Sequence, residues 1–451
     1  MAFAKPEETT LANGLRVIAV ERPGLPMISA GLLIRSGAEA DPPKLSGLAQ
    51  FTGSLLTRGT TKRSATEIAQ DLEDHGAALK IEANWDLSLA MLTTLSSEAK
   101  PSLRILAEII RKPAFAPAEI ERLRKETIDE LTVSLEQPGQ LARTAAARAI
   151  LGTQPYGHAV TGVPSSLRRM KRKDIVNFHT RTYQPDQAVL IVAGSLPAKE
   201  VFALTEAEFG DWKPANPAGA KSKGKSRTAT KPATVLIDMP DAGQAAVYVG
   251  RETSPRHNDD YYIGQVANSV LGGGFSARLN REIRIRRGLS YGCGSRLSAY
   301  RGAGIFGAAT QTKNESAAEV VEAIRLELAK LGDEPIPEVE FAARVAVITG
   351  SFQRNLETNE GYVKCIADYI VHEKPANSFA LTLEKLKQVT PGEVQAFAKK
   401  EFSPDLTSVV VVGNAAKCEK GLRETLPGLR KIPQADLDLE SPRLTSQNKA
   451  N

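Results

Sequence analysis

At 451 residues, 42% hydrophobic and 24% charged, the chain has an ordinary globular composition and length enough for two or three domains with full cores. It contains no run of about 18 apolar residues, which excludes a transmembrane helix. The net charge of +6 suggests a nucleic-acid partner only until its location is read. Lys213, Lys221, Lys223, Lys225, Arg227 and Lys231 lie in a Pro/Gly/Ser-rich stretch without an acidic residue, and setting those six aside leaves 52 of the 58 basic residues against 52 acidic ones. The excess is therefore a solvated linker and the folded parts are balanced. Cys293, Cys365 and Cys418 are widely spaced and odd in number, so they form neither a disulfide framework nor a cysteine zinc knot.

In chain order, Leu15–Glu21 and Met27–Arg35 alternate or run apolar as strands do. Residues 46–57 are helix-like, and Ser64-Ala-Thr-Glu67 is a capping box opening a helix that stops near Gly76. Ala77–Ala83 and Leu87–Leu95 form a strand pair turning at Asn84-Trp85-Asp86. Helical stretches follow over about 98–111, 117–135 and 139–151, then a helix at 174–182 and a buried strand at Ala188–Ala193. The second half repeats the plan, with strands at 234–238 and 245–250 and a long helix near 316–331. Hairpin-connected strands with helices grouped between them predict an α+β fold with a largely antiparallel sheet packed against helices.

The chain repeats itself at a constant offset of 219 residues. Phe178 matches Phe397, Tyr183 matches Phe402, and Pro185-Asp186 matches Pro404-Asp405. Val192 and Gly194 match Val411 and Gly413. Upstream, Ile105 and Glu108 match Ile324 and Glu327, and Glu119-Ile120-Glu121 matches Glu338-Val339-Glu340. Two homologous domains in tandem are predicted, 1–212 and 232–451, joined by the basic linker 213–231.

The stretch Ser46-Gly-Leu-Ala-Gln-Phe-Thr-Gly-Ser-Leu-Leu-Thr-Arg-Gly-Thr60 resembles the signature helix of the pitrilysin and mitochondrial-processing-peptidase family of zinc metallopeptidases. That family carries the inverted motif H-x-x-E-H there. The frame Gly47, Leu48, Ala49, Phe51, Leu55, Gly59 and Thr60 is intact. Gln50 and Ser54 stand at the two zinc-histidine positions, and Gly53 at the position of the general-base glutamate. Histidines four apart share a helix face and reach one metal, and a glutamate beside the second takes a proton from metal-bound water. Gln and Ser are poor zinc ligands, and Gly has no side chain to act as base. The resemblance places the family's third ligand at Glu130, which alone does not hold a catalytic zinc.

The second half carries Val270-Leu-Gly-Gly-Gly-Phe-Ser-Ala-Arg-Leu-Asn-Arg-Glu-Ile-Arg284-Ile-Arg-Arg-Gly-Leu-Ser-Tyr291, which resembles the family's other signature, with Tyr300, Gly304 and Phe306 downstream also fitting. Gly272, Gly273 and Gly274 are read as a tight turn, 276–286 as a helix ended by Gly288, and Tyr291 as the start of a strand. In relatives an arginine and a tyrosine seven residues apart touch the substrate at the cut bond, and the resemblance puts that pair at Arg284 and Tyr291. A fixed guanidinium binds a carbonyl, and a phenol donates to the oxyanion of a tetrahedral intermediate.

The resemblance runs from Leu11-Ala-Asn-Gly-Leu-Arg-Val to Gly413. It implies a clam-shell dimer in which this chain, without zinc of its own, supplies Arg284 and Tyr291 to a homologous zinc-bearing subunit with an intact H-x-x-E-H. The composite site would act on unfolded peptides. A catalytically silent scaffold homologue is the alternative, and an enzyme with new chemistry is a third reading for which no nucleophile–base pair is visible. Met-Ala-Phe-Ala-Lys-Pro-Glu-Glu at the start has no hydrophobic signal core, and a periplasmic compartment is expected, with the cytoplasm as the alternative. His75, His158, His179, His257 and His372 are isolated and are expected to be surface or capping residues. The arginines after the glycine turn lack the Gly-Lys-Ser/Thr ending of a phosphate loop.

Overall fold

The computed structural model describes residues 3–214 and 231–446, so most of the expected basic linker, 215–230, lies outside the described residues. The first half forms a six-stranded sheet from β1 (Glu7–Thr10), β2 (Arg16–Glu21), β3 (Met27–Ile34), β4 (Ala78–Ala83), β5 (Ser88–Leu95) and β6 (Ala188–Gly194). Its order is β1-β2-β6-β3-β5-β4, antiparallel throughout except at β2–β6. The second half builds its sheet from β7 (Thr234–Asp238), β8 (Ala245–Thr253), β9 (Cys293–Ala299), β10 (Gly304–Thr312), β11 (Ser408–Gly413) and β12 (Arg430–Pro433). Its order is β12-β7-β11-β8-β10-β9, with the parallel pairs at β12–β7 and β7–β11. The predicted α+β class, tandem and largely antiparallel, is the observed one.

Local chemistry explains these elements. The strand β6, Ala-Val-Leu-Ile-Val-Ala-Gly, is buried at every residue, because a central strand covered on both faces has no solvent side. The edge strand β4 instead exposes alternate positions and carries Lys80 and Glu82, which blunt the edge against further pairing. Ser64 caps the Ala65–Asp74 helix as a reciprocal capping box with Glu67, and Thr390 and Glu393 do the same for Pro391–Glu401.

The 219-residue repeat reappears in three dimensions. The helices Arg172–Thr182 and Pro391–Glu401 match it at both ends, as do the 3-10 turns Pro185–Gln187 and Pro404–Leu406. The sequence reading missed the helices Ala198–Phe209, whose apolar face is weakly segregated, and Ala415–Thr425, a largely polar run in which Ala415, Cys418 and Leu422 are the buried residues.

The repeats and the compact units are not the same residues. One unit comprises the described residues within Met1–Asp129, Val160–Lys223 and Phe352–Leu381, and the other those within Glu130–Ala159, Gly224–Ser351 and Thr382–Asn451. The helix Pro138–Leu151, from the first repeat, packs on β8 and β11, whereas its repeat counterpart Asn359–Val371 packs on β3 and β6. Each sheet thus receives a helix from the other repeat. The close fit rests on small residues. A Cβ at Gly31 of β3 would fall 2.4 Å from Val363 Cγ1, so glycine there lets the helix settle onto the strand. The helix on the second sheet buries Ala142, Ala145, Ala146 and Ala149. In the first unit Val363, Ile366, Tyr369 and Phe379 join Ile18, Leu33 and Ile191 in one core.

His179 departs from the expected surface role. Its ring stacks on Tyr183 at 4.7 Å, meets the edge of Phe115 at 5.3 Å, and its Nε2 lies 2.8 Å from the Ile110 carbonyl. Burial pushes its pKa down to about 4, against a weaker upward pull from that carbonyl. The folded chain therefore holds His179 neutral while the unfolded chain binds a proton below about 6.5, so stability is complete above that pH and is lost as pH falls toward 4. The expected loss is up to about 3 kcal/mol across that window. Urea titrations at stepped pH check it, because His179→Gln should flatten this part of the profile.

Candidate functional site

The degenerate zinc motif sits on the helix Leu48–Leu55, in the first unit. Gln50 and Ser54 share a face, with Gln50 Nε2 3.5 Å from Ser54 Oγ. The Gln50 carbonyl is already used, because it accepts from Ala83 N–H at 2.8 Å and holds the end of β4 to the helix. Gly53 is buried, and a Cβ there would meet Ile81 Cγ2 at 3.6 Å and the Tyr183 hydroxyl at 3.9 Å. Burial pushes that phenol up to about 12, so a carboxylate added at Gly53 would enter a poorly solvated neighbourhood. Glu130 is exposed on the helix Pro117–Leu135 and opens the stretch Glu130–Ala159 of the second unit. An engaged amide, a bare glycine and a hydroxyl do not fit zinc. Among the described residues no three His, Cys, Asp or Glu side chains converge as a metal cluster. What Gln50 does is structural. Gln50→Ala should orphan the buried Ala83 N–H and cost about 1–2 kcal/mol, read as a lower urea midpoint with unchanged slope.

The glycine turn belongs to the second unit. Gly272 ends the helix Tyr261–Leu271, and its carbonyl accepts from Ser295 N–H on β9 at 3.1 Å. A Cβ at Gly272 would lie 2.4 Å from that same nitrogen, and one at Gly273 would lie 2.7 Å from Ser269 Cα. Gly274 is under no such pressure, with Arg344 Nη1 no nearer than 3.5 Å. Two of the three glycines are therefore required by close approach of backbone.

The expected 276–286 helix is shorter and partly wider than a regular one. It begins at Arg278, and Arg281–Arg286 is π-helical, with Arg287 N–H bonded to the Glu282 carbonyl five residues back. The wider turn lets one carboxylate take two neighbours, since Glu282 pairs with Arg286 at 3.1 Å and with Arg287 at 3.0 Å. Those two partners hold the Glu282 carboxyl below its usual range although its own desolvation acts the other way. On the next side, Glu340 receives Arg278 through two bonds of 2.8 and 3.0 Å and Arg281 at 3.4 Å. Arg284 is different. Among the described residues it has no carboxylate partner, and its guanidinium lies 4.8 Å over the ring of Phe275, itself 65% exposed.

Tyr291 does not start a strand; β9 begins at Cys293 and Tyr291 occupies the bend before it, 89% exposed. The reason is a knot of hydroxyls. Ser290 Oγ lies 2.6 Å from Thr310 Oγ1, and both bond the Gly292 carbonyl, at 3.0 and 2.7 Å, which pins the loop to β10 but keeps it out of the ladder. The ladder begins only at Cys293, opposite Thr310. Tyr291 stands at the rim of a cleft of about 320 Å3 in the second unit. Same-face pairs across β8 and β10, Tyr248 opposite Ala309 and Ala246 opposite Gln311, form its floor. Gly139 and Arg143 of the helix Pro138–Leu151 form a wall. Burial raises the Tyr248 phenol well above its ordinary value. Arg284 is not part of this lining.

Against known families, residues 16–162 match the model described as Insulinase (Peptidase family M16), and residues 169–347 match that described as Peptidase M16 inactive domain. The chain belongs to peptidase family M16. The M16 chain is 26% identical over 421 residues to an uncharacterized zinc protease of Mycobacterium bovis, covering 92% of this chain and 95% of that one. It is 23% identical over 352 residues to the uncharacterized zinc protease YmxG of Bacillus subtilis, covering 77% and 84%. Among solved structures, a peptidase M16 inactive domain from Pseudomonas fluorescens superposes with a TM-score of 0.83 at 25% identity, covering 90% of this chain and 98% of that one. A protease from Helicobacter pylori shares the fold at a TM-score of 0.86 and 20% identity, covering 91% and 100%. No described helix of the M16 chain is long and apolar enough to cross a membrane.

Sequence reasoning missed the other cleft residues, Gly139, Arg143, Tyr248 and Gln311. Gly139 and Arg143 are about 150 residues upstream of Tyr291 and reach its unit only through the exchanged helix. No spacing within the glycine-turn signature signals them.

Proposed function

We propose that this chain is the zinc-free subunit of a heterodimeric M16 metalloendopeptidase, supplying Arg284 and Tyr291 to a composite site whose zinc and general base belong to a partner with an intact H-x-x-E-H. The observation that carries this reading is the state of the pair. Among the described residues each of the neighbouring arginines has a carboxylate and Arg284 has none, and the loop pinned by Ser290 and Thr310 holds Tyr291 89% exposed. An exposed phenol gains little from water. In a site closed by a second subunit, the same hydroxyl would face a substrate carbonyl in low dielectric, where donation to a developing oxyanion is worth far more. Arg284 would bind a carbonyl of the extended peptide and fix its register. Gln50, Gly53 and Ser54 supply no metal chemistry to this mechanism; zinc in the partner would activate the attacking water.

The scaffold alternative draws on one observation, that Arg284 stacks on Phe275 and does not line the cleft at which Tyr291 stands. The test is reconstitution. The purified chain alone should not cleave a quenched-fluorescent unfolded peptide. Mixing it with a zinc-bearing M16 homologue from the same source should produce cleavage above that of either chain. Cleavage by this chain alone, or no gain on mixing despite a stable heterodimer, would sink the reading.

A further inference from the structure

The cleft beside Tyr291 has a chemistry of its own. Its lining contains one arginine, two side-chain amides and two phenols, and no carboxylate. Arg143 is exposed and bonds only a neutral partner among the described residues, the Gln140 side-chain oxygen at 2.8 Å from Nε. Gln311 projects from β10 opposite Ala246. These two donors converge. The position that a Cβ on Gly139 would occupy is 3.1 Å from Gln311 Nε2 and 3.8 Å from Arg143 Nη1. Gly139 is also the second residue of the helix Pro138–Leu151, where Pro138 has no N–H and the Gln140 and Leu141 N–H groups both bond the Gln137 carbonyl, so the ligand contacts rest on the two side chains.

From this convergence we propose that the cleft binds a carboxylate of an extended peptide, held between the Arg143 guanidinium and the Gln311 amide at the opening left by Gly139. The pairing is chemically matched. A guanidinium and an N–H donor grip a carboxylate through charge-assisted bonds, and a neutral amide offers only one acceptor and no charge. The absence of any acidic residue in the lining removes the repulsion that would spoil the site. Glycine at 139 keeps the approach open, because a Cβ there would stand 3.1 Å from Gln311 Nε2 and press on the amide that holds the carboxylate. The assignment deepens the proposed function by making the substrate a peptide with an acidic group near the cut bond, and it rests on that reading for its purpose.

The test uses the full chain and fluorescein-labelled decapeptides of Ala, Gly and Ser, read by anisotropy at low salt. Three peptides separate the sources of carboxylate: a central Asp with an amidated end, a central Asn with a free carboxyl end, and a central Asn with an amidated end. The expected result is about tenfold tighter binding of one or both acidic peptides than of the neutral one, shrinking as salt is raised. Arg143→Gln should reduce that preference to near unity. Gly139→Ala should lower it several-fold while the thermal midpoint stays close to the parent value. Equal binding of all three peptides, or an undiminished acid preference in Arg143→Gln, overturns the proposal. Its failure is separable from failure of the catalytic reading. An acid preference together with unaffected cleavage by Tyr291→Phe in the heterodimer rejects only the catalytic role, and the reverse pattern rejects only the carboxylate site.

Discussion

Replacing Tyr291 by phenylalanine in the reconstituted heterodimer is expected to lower the maximal cleavage rate by roughly 10²–10³, the usual consequence of removing one oxyanion donor. The substitution deletes one hydroxyl from a side chain that is 89% exposed and contributes nothing to the core, so the chain should fold and associate as before. The loss should appear in kcat and in kcat/KM alike, because the bond forms only when charge builds on the oxygen. Arg284→Ala should act differently, raising KM as well as lowering kcat, since a carbonyl contact exists in the ground state too. Phe275 loses only a stacked cation in that variant. Steady-state kinetics on one fluorogenic peptide decides the matter. Unchanged kcat in Tyr291→Phe with an intact heterodimer would return the pair to a structural role and favour the scaffold alternative.

The second large effect concerns stability. Ile366→Ala should destabilise the first compact unit by about 2–5 kcal/mol, the range for truncating a buried isoleucine whose cavity only partly collapses. Ile366 is fully buried in the core formed by Ile18, Leu33 and Ile191 with Tyr369 and Phe379. Sequence position would assign the damage to the second repeat. The exchanged helix assigns it to β3 and β6, more than 150 residues away. Hydrogen exchange under native conditions separates the two outcomes. Amides of Ala30–Leu33 and Leu190–Val192 should lose protection while those of β8 and β11 keep theirs. Loss confined to β8 and β11 would show that the helix Asn359–Val371 stabilises its own repeat.

Much of the chain was legible beforehand because its signals are local. The capping box at Ser64, the alternation of β4 against β5 and the unbroken apolar run of β6 each follow from residues within one or two turns of each other. The constant offset between repeats marked Phe178 and Phe397 as equivalent positions, and both prove to be buried. The losses at Gln50, Gly53 and Ser54 are likewise facts of composition at fixed spacing. The signature also located Tyr291 and Arg284, but it misread what surrounds them. Tyr291 was placed in a strand, and it stands in a bend because Ser290, Thr310 and the Gly292 carbonyl bond one another across the loop. The signature picks Arg284 out of five arginines, but only the placement of Glu282 and Glu340 shows that the other four are paired with carboxylates.

Tertiary structure alone decided three things. It turned Gln50 from a failed ligand into the acceptor for Ala83, a partner 33 residues away that no helical periodicity reveals. It buried His179 between Tyr183 and Phe115 and so set its proton affinity. And it gave each sheet a helix from the opposite repeat. An amphipathic helix announces that one face will be buried, but two homologous sheets offer it two similar surfaces, and its own sequence does not say which. The choice is made by side-chain shape at the contact, as where Gly31 admits Val363, and that complementarity exists only between residues brought together by the fold.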